Sequence, residues 1–129
     1  MPSIRRLAVG TEARETANKF NARKVIVDGE VFDSKKEAYR YRQLKSLEKI
    51  HAIYDLRRQV EYVLIPKQLD GNGKVIEKQC VYCADFVYGQ NGKTIVEDVK
   101  GYKKGAAYSL FVIKRKLMLS IHGIKIREV

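Results

Sequence analysis

The stretch "ADFVYGQNGKTIVEDVKG", residues 84–101, decides how this chain is read, because its apolar texture is that of buried sheet while Asp85, Asp98 and Lys100 interrupt it. A turn over Gln90 to Gly92 divides it into two strands. Side chains alternate along a strand, so Asp98 and Lys100 share one face and Glu97 and Val99 the other. Closing the hairpin brings Asp85 beside Asp98. Two carboxylates at adjacent strand positions repel unless a cation lies between them, and their hard oxygen donors suit Mg²⁺ or Mn²⁺. Lys100 is near enough to orient a water or to stabilise developing negative charge. Gly101 lets the backbone leave the strand without crowding. A solvated edge pair is the other reading of Asp98 and Lys100, and spacing alone leaves both open.

Outward from this hairpin, the remaining chain supplies a consistent set of elements. "RQVEYVLIP" alternates as a strand that stops at Pro66, and "LDGNGK" turns it back into "VIEKQCVYCADFVY". Upstream, "KVIVDGEVF" carries two apolar stretches around Asp28-Gly29, a tight hairpin signal. A helix is expected from Ser34 to about Ile50, another over Gly105 to His122, and a closing strand in "IKIREV". The order is helix, three strands, helix, strand. The three strands form an antiparallel meander, and the last helix returns the final strand parallel to a neighbour. The expected fold class is therefore α/β, as an α+β mixed sheet flanked by helices.

Glu37 is the third polar exception. Ser34 followed by Glu37 is a capping-box pattern. At 100° per residue, Glu37 also falls between Tyr41 and Leu44 in the stripe that faces a core, where an ionised carboxylate needs a pair, a hydrogen bond or a metal. Capping and a share in a site are compatible. Glu48 lies too far along the helix to join it. Tyr39 and Tyr41 suit either packing or stacking on bases.

The chain has 129 residues, enough for one domain, with 45% hydrophobic and 32% charged residues, as in an ordinary globular protein. Residues 1–17 read as a basic N-terminal arm, in which "TEARETANKF" supports a short helix at best, and 18–129 as the domain. With 26 Lys and Arg against 15 Asp and Glu, the net charge of +11 favours a polyanionic partner. No apolar run reaches the roughly 18 residues of a membrane span, and "MPSIRRLAVG" lacks a secretory signal's apolar stretch, so a cytoplasmic protein with no membrane partner is expected. The "CVYC" pair lies inside a strand and lacks a second pair, which argues against zinc and thioredoxin-like chemistry. "GNGK" lacks P-loop spacing.

Glu37 on the first helix, Asp85 on the second core strand and Asp98-Val99-Lys100 on the third resemble the PD-(D/E)xK nuclease superfamily, whose restriction-endonuclease-like αβββαβ core has the same element order. "FNARKVIVDGEVFDSKKEAYRYRQLKSLEK", "YCADFVY", "VEDVKG" and "FVIKRKLM" are similar to a family of small phage-encoded endonuclease-like proteins of that superfamily, from about Asn18 to the C-terminus. Ala84 stands where the superfamily's name has proline, and Asp98 where glutamate is commoner. The resemblance implies that Asp85, Asp98 and the Val99 backbone carbonyl bind a divalent metal. It implies that Lys100 positions or activates the attacking water and that Glu37 holds a second metal or its water shell. The implied activity is that of a Mg²⁺- or Mn²⁺-dependent DNA endonuclease, a phage protein acting in DNA recombination, repair or processing, whether junction-resolving or non-specific, in the cytoplasm of a bacterial host.

Phosphate contacts would then come from Lys103, Lys104, Lys114, Arg115, Lys116, Arg5, Arg6 and Arg23, each of which also suits a solvated surface. The alternative is a non-catalytic basic DNA-binding protein that retains the fold. The helix over 105–122 carries Tyr108, Val112 and Leu119 on one side and Leu110, Leu117 and Ile121 on nearly the opposite one. One face packs on the sheet, and the other suits a homodimer or cover by the arm or the first hairpin.

Overall fold

The computed structural model describes residues 14–17 and 23–129, with the side chains from Lys24 onward. These residues form two compact units that part after Ile50, where the sequence suggests a single domain from residue 18.

The first unit contains strands β1 (Arg14–Ala17), β2 (Arg23–Val27) and β3 (Glu30–Phe32), followed by helix α1 (Lys35–Lys49). Arg14–Ala17 is a correction to the expected arm and short helix: it is a strand, antiparallel to β2. Residues 1–13 and 18–22 lie outside the described residues. The hairpin expected at Asp28-Gly29 is present, with φ of 53° and 78° inside the Val27↔Glu30 pair, the geometry that matches strand twist and favours Asp-Gly. α1 packs on β2 and β3. Its buried stripe is Glu37, Ala38, Tyr41 and Leu44, and the Tyr41 ring lies 5.0 Å from that of Phe32. Burying Val25, Val27, Phe32 and Leu44 contributes roughly 1.5–3 kcal/mol each.

The second unit is built on β4 (Tyr54–Ile65), β7 (Cys80–Gln90), β8 (Lys93–Asp98) and β9 (Arg127–Glu128), which pair in that order. β4, β7 and β8 form the expected antiparallel meander, and β9 returns parallel to β8 through helix α2 (Gly105–Leu117). A short hairpin, β5 (Gln68–Leu69) with β6 (Val75–Glu77), lies in the β4–β7 connection. It turns at Asp70, whose Oδ1 accepts from the Asn72 and Lys74 N–H groups at 2.8 and 3.0 Å. One core joins Leu64, Tyr82, Ala84, Val87, Val96 and Ile126 to Phe111 and Met118.

The helical apolar stripe differs from the one expected. Phe111 and Met118 are buried, Tyr108 and Leu117 pack against the same core, and Leu119 and Ile121 are exposed. Leu117 and Leu119 thus stand opposite to expectation, because the stripe centres on Phe111 and Met118, with Tyr108 and Leu117 flanking that line at a uniform 100° step. Met118–His122 forms a π turn that Gly123 ends with φ 68°. His122 Nε2 meets the Val63 carbonyl at 2.8 Å and ties this turn to β4.

The β7–β8 register rests on a two-residue turn, Asn91-Gly92, with φ of 53° and 77° between Gln90 and Lys93. Gly92→Ala keeps the turn's length but places a Cβ in left-handed backbone, so we expect a loss of roughly 1–2 kcal/mol in urea unfolding. Unchanged stability would show that the turn does not hold the register.

Candidate active site

The ladder sets the cluster. Phe86 pairs with Glu97, so Asp85 and Asp98 are the next residues on each side. Asp85 reaches past β8's last residue, and its Oδ2 accepts from the Val99 N–H at 2.8 Å. Asp98 is 6% exposed. Its Oδ1 lies 2.8 Å from Lys100 Nζ, and its Oδ2 accepts from the Tyr82 hydroxyl at 2.7 Å. Lys100 Nζ stands 3.6 Å from the centre of the Phe111 ring, a cation–π contact. The hairpin therefore brings Asp85, Asp98 and Lys100 together, as the sequence suggests.

Burial drives the Asp98 pKa up, the Asp85 charge adds to the rise, and hydrogen bonds from Lys100 and Tyr82 oppose it. The Tyr82 phenol is pushed up by burial and by Asp98, so it remains a donor. Glu97 is on the opposite alternation and fully buried, bonded to the Tyr88 hydroxyl with Arg127 Nη1 4.0 Å away. It takes no part in the Asp98 cluster.

A local irregularity accompanies these residues. Between the pairs Arg58↔Phe86 and Val60↔Ala84 stand Gln59 and Asp85, and Gln59 has φ 52°, which costs a non-glycine residue roughly 1–2 kcal/mol. Tyr82, Phe111 and Gln59 were not legible as site residues: only the strand periodicity hinted that Tyr82 shares a sheet with Asp98. Gly101 does not act as expected, since a Cβ there would meet nothing within 4 Å.

Glu37 belongs to the first unit, 5% exposed. Its N–H donates to Ser34 Oγ and its Oε1 accepts from the Asp33 N–H, both at 3.0 Å. The capping role is thereby present. Tyr41 is packed and donates to Glu30 Oε2 at 2.9 Å, whereas Tyr39 is exposed.

The basic residues divide. Arg5 and Arg6 lie outside the described residues, as does the side chain of Arg23 on β2. Lys103 and Lys104 precede α2 and are exposed, Lys114 is half-buried, and Lys116 is exposed. Arg115 donates to Glu128 Oε2 at 3.0 Å, and Lys103 lies 3.8 Å from Glu128 Oε1. Burial alone would raise the Glu128 pKa, but hydrogen bonds from Tyr108 and Arg115 prevail and lower it.

Two carboxylates and a backbone carbonyl are hard oxygen donors, and each carboxylate oxygen keeps lone-pair capacity beyond one hydrogen bond, so this set fits Mg²⁺ or Mn²⁺. Among the described residues, no three His, Cys, Asp or Glu side chains gather as a metal-binding group. No described helix is long and apolar enough to cross a membrane.

Fold and site define an α+β domain with a mixed sheet and a carboxylate–lysine cluster where β8 ends. The chain belongs to the family described as "Protein of unknown function (DUF1064)", whose model matches residues 17–126. No curated protein and no solved structure matches it.

The raised Asp98 pKa makes a stability forecast with a definite sign. A carboxyl whose folded pKa is raised binds its proton more tightly in the folded state, so its contribution is fully present below the ordinary value of 3.8 and is lost as pH rises through the folded value. Asp98→Asn, with chelator present, should therefore melt above the parent protein at pH 7, the gap closing as pH falls toward 4. A lower melting temperature at pH 7 would show that the ionised pair with Lys100 outweighs its burial.

Proposed function

We propose that this chain is a metal-dependent DNA endonuclease of the PD-(D/E)xK kind, hydrolysing phosphodiester bonds in phage DNA recombination, repair or processing. The observation that carries the reading is Lys100, held 2.8 Å from a buried Asp98 that lies beside a second carboxylate, Asp85. The order α1, β4, β7, β8, α2, β9 supports a restriction-endonuclease-like core.

Asp85, Asp98 and the Val99 carbonyl would hold Mg²⁺ or Mn²⁺. When bound, such an ion makes water more acidic and stabilises charge on the phosphate and leaving oxygen. Lys100 donates from Nζ, so it orients the attacking water and offsets negative charge as the phosphorus becomes five-coordinate. Tyr82 holds the far oxygen of Asp98, and Phe111 limits the freedom of the Lys100 ammonium. Lys104, Lys114 and Lys116 supply phosphate contacts without a sequence requirement, Arg5, Arg6 and Arg23 share that role, and Lys103 and Arg115 join only where a phosphate displaces Glu128.

A second reading, a basic DNA-binding protein that retains the fold without cutting, is favoured by one observation: both oxygens of Asp98 already have partners. Incubation with linear duplex, single-stranded and four-way-junction DNA, in Mg²⁺, in Mn²⁺ and in chelator, separates the two. Cleavage is expected with metal alone. Asp85→Asn, Asp98→Asn and Lys100→Ala should each lower it at least about a hundredfold while DNA binding persists, and Glu37→Gln, which keeps an acceptor for the capping bond, should leave the protein folded. Metal-dependent cutting that survives these three changes would refute the site, and DNA binding without any cutting would support the second reading.

The reading includes a homodimer, in which a second copy covers Leu110 and Ile113 on the exposed side of α2, 54% and 56% exposed. Light scattering across a dilution series should show a dimer that Leu110→Glu dissociates. A monomer at every concentration would remove it. Leu117, packed on the core, is unsuitable as a probe.

A further inference from the structure

Gln59 stands in the interior of β4 with φ 52°, away from any chain reversal, in a conformation that glycine adopts without strain and glutamine rarely adopts. Backbone strain of this kind persists where the surroundings hold it, and it gathers at functional sites. Here the surroundings are polar and specific. Gln59 Nε2 donates to Asp85 Oδ1 at 3.3 Å, and Gln59 Oε1 accepts from the Cys83 thiol at 3.3 Å. An ionised carboxylate offers only acceptors, so the amide turns its NH₂ toward Asp85 and its carbonyl is left for the thiol. Cys83 and Asp85 are two residues apart on β7, so one glutamine spans both from the neighbouring strand.

The other Asp85 oxygen is held from the opposite side. Val99 N–H donates to Oδ2 at 2.8 Å. One donor from β4 and one from the end of β8 thus grip the two oxygens of a single carboxylate. That arrangement fixes the rotation of the carboxylate about its Cβ–Cγ bond, which neither donor alone would do. A sequence of ordinary strand character at "RRQVEY" gives no sign of it, because neither the left-handed backbone nor the cross-strand partner is encoded in the spacing.

We infer that Gln59 is a positioning residue: its side-chain amide, together with the Val99 N–H, sets the Asp85 carboxylate in the orientation that binds a divalent cation. The strained backbone at Gln59 is what aims the amide at Asp85. This rests on the nuclease reading, and deepens it by adding a residue outside the carboxylate–lysine motif.

The test compares the full chain with Gln59→Gly, which removes the amide and relieves the backbone, and Gln59→Met, which removes the amide but keeps the length and the strain. Three measurements are made: calorimetric titration with Mn²⁺, thermal melting in chelator, and DNA cleavage. Both variants should bind Mn²⁺ roughly 10- to 100-fold more weakly, as expected for loss of a group that orients a ligand. Both should lower kcat while leaving KM for DNA unchanged. In chelator, Gln59→Gly should melt at or above the parent protein and Gln59→Met below Gln59→Gly. A purely structural role would instead lower melting in both and leave Mn²⁺ affinity intact in whichever variant is folded. A folded Gln59→Gly or Gln59→Met that binds Mn²⁺ as the parent does overturns the inference and leaves the nuclease reading standing. A parent protein that neither binds Mn²⁺ nor cuts overturns both.

Discussion

Burying an ionised carboxylate next to a second carboxylate is unfavourable, and much of the second unit is arranged around that cost at Asp98. Lys100 supplies the opposite charge at 2.8 Å and Tyr82 supplies a neutral donor at 2.7 Å. Lys100 is itself only 18% exposed and rests on the Phe111 ring, which helix α2 delivers. The backbone on either side of Val99 is clamped by the chain's last residue: the Val129 N–H donates to the Asp98 carbonyl at 2.9 Å, and the Lys100 N–H donates to the Val129 carbonyl at 3.0 Å. Sheet, helix and returning strand therefore meet at three consecutive residues. An ion pair taken out of water needs close geometry and further hydrogen bonds to offset its desolvation, and these contacts supply both.

β8 carries a second buried carboxylate, and the two have different surroundings. Glu97 and Asp98 point to opposite faces, and each accepts from a tyrosine of β7, Tyr88 and Tyr82 respectively. Glu97 is fully buried, with Arg127 Nη1 4.0 Å from its Oε2. An arginine remains charged across the whole working pH range, so Glu97 has a permanent counterion and a closed environment. Asp98 is paired with a compact ammonium that keeps partial access to water, and it lies within the field of Asp85. A buried carboxyl with a raised pKa beside a second carboxylate is the kind of group that general acid–base chemistry uses.

Much of this was legible in the sequence, for identifiable reasons. Period-two alternation and Gly-containing turns gave the meander, and the turn at Asn91-Gly92 fixed which residue of β8 faces Asp85. Ser34 and Glu37 announced a helix start that the structure retains. Three features were hidden because they depend on tertiary placement. Met118–His122 winds as a π turn, which a constant angular step does not foresee. β1 pairs through backbone groups, and "RETA" has little strand character of its own. Glu128 is far from Lys103 and Arg115 in sequence yet draws both of them.

That last pairing changes how the charge of +11 bears on a polyanionic partner. Lys100, Arg115 and Arg127 each face a carboxylate within the second unit at 4.0 Å or less, and Glu128 stays ionised because Tyr108 and Arg115 bond to it. Such cations hold geometry, and a phosphate would have to displace an internal carboxylate to recruit them. Long, exposed lysines carry no such cost: Lys104 stands at the N-cap position of α2 and Lys116 lies in its last turn, so the two stand about 18 Å apart along the axis at 1.5 Å per residue. On the nuclease reading, two exposed lysines at that spacing reach phosphates several nucleotides apart, while the paired cations keep the carboxylates in register. On that reading the chain's basicity serves two separate purposes, and the exposed lysines' share should weaken most when salt is added, because the buried Asp98–Lys100 pair is screened far less.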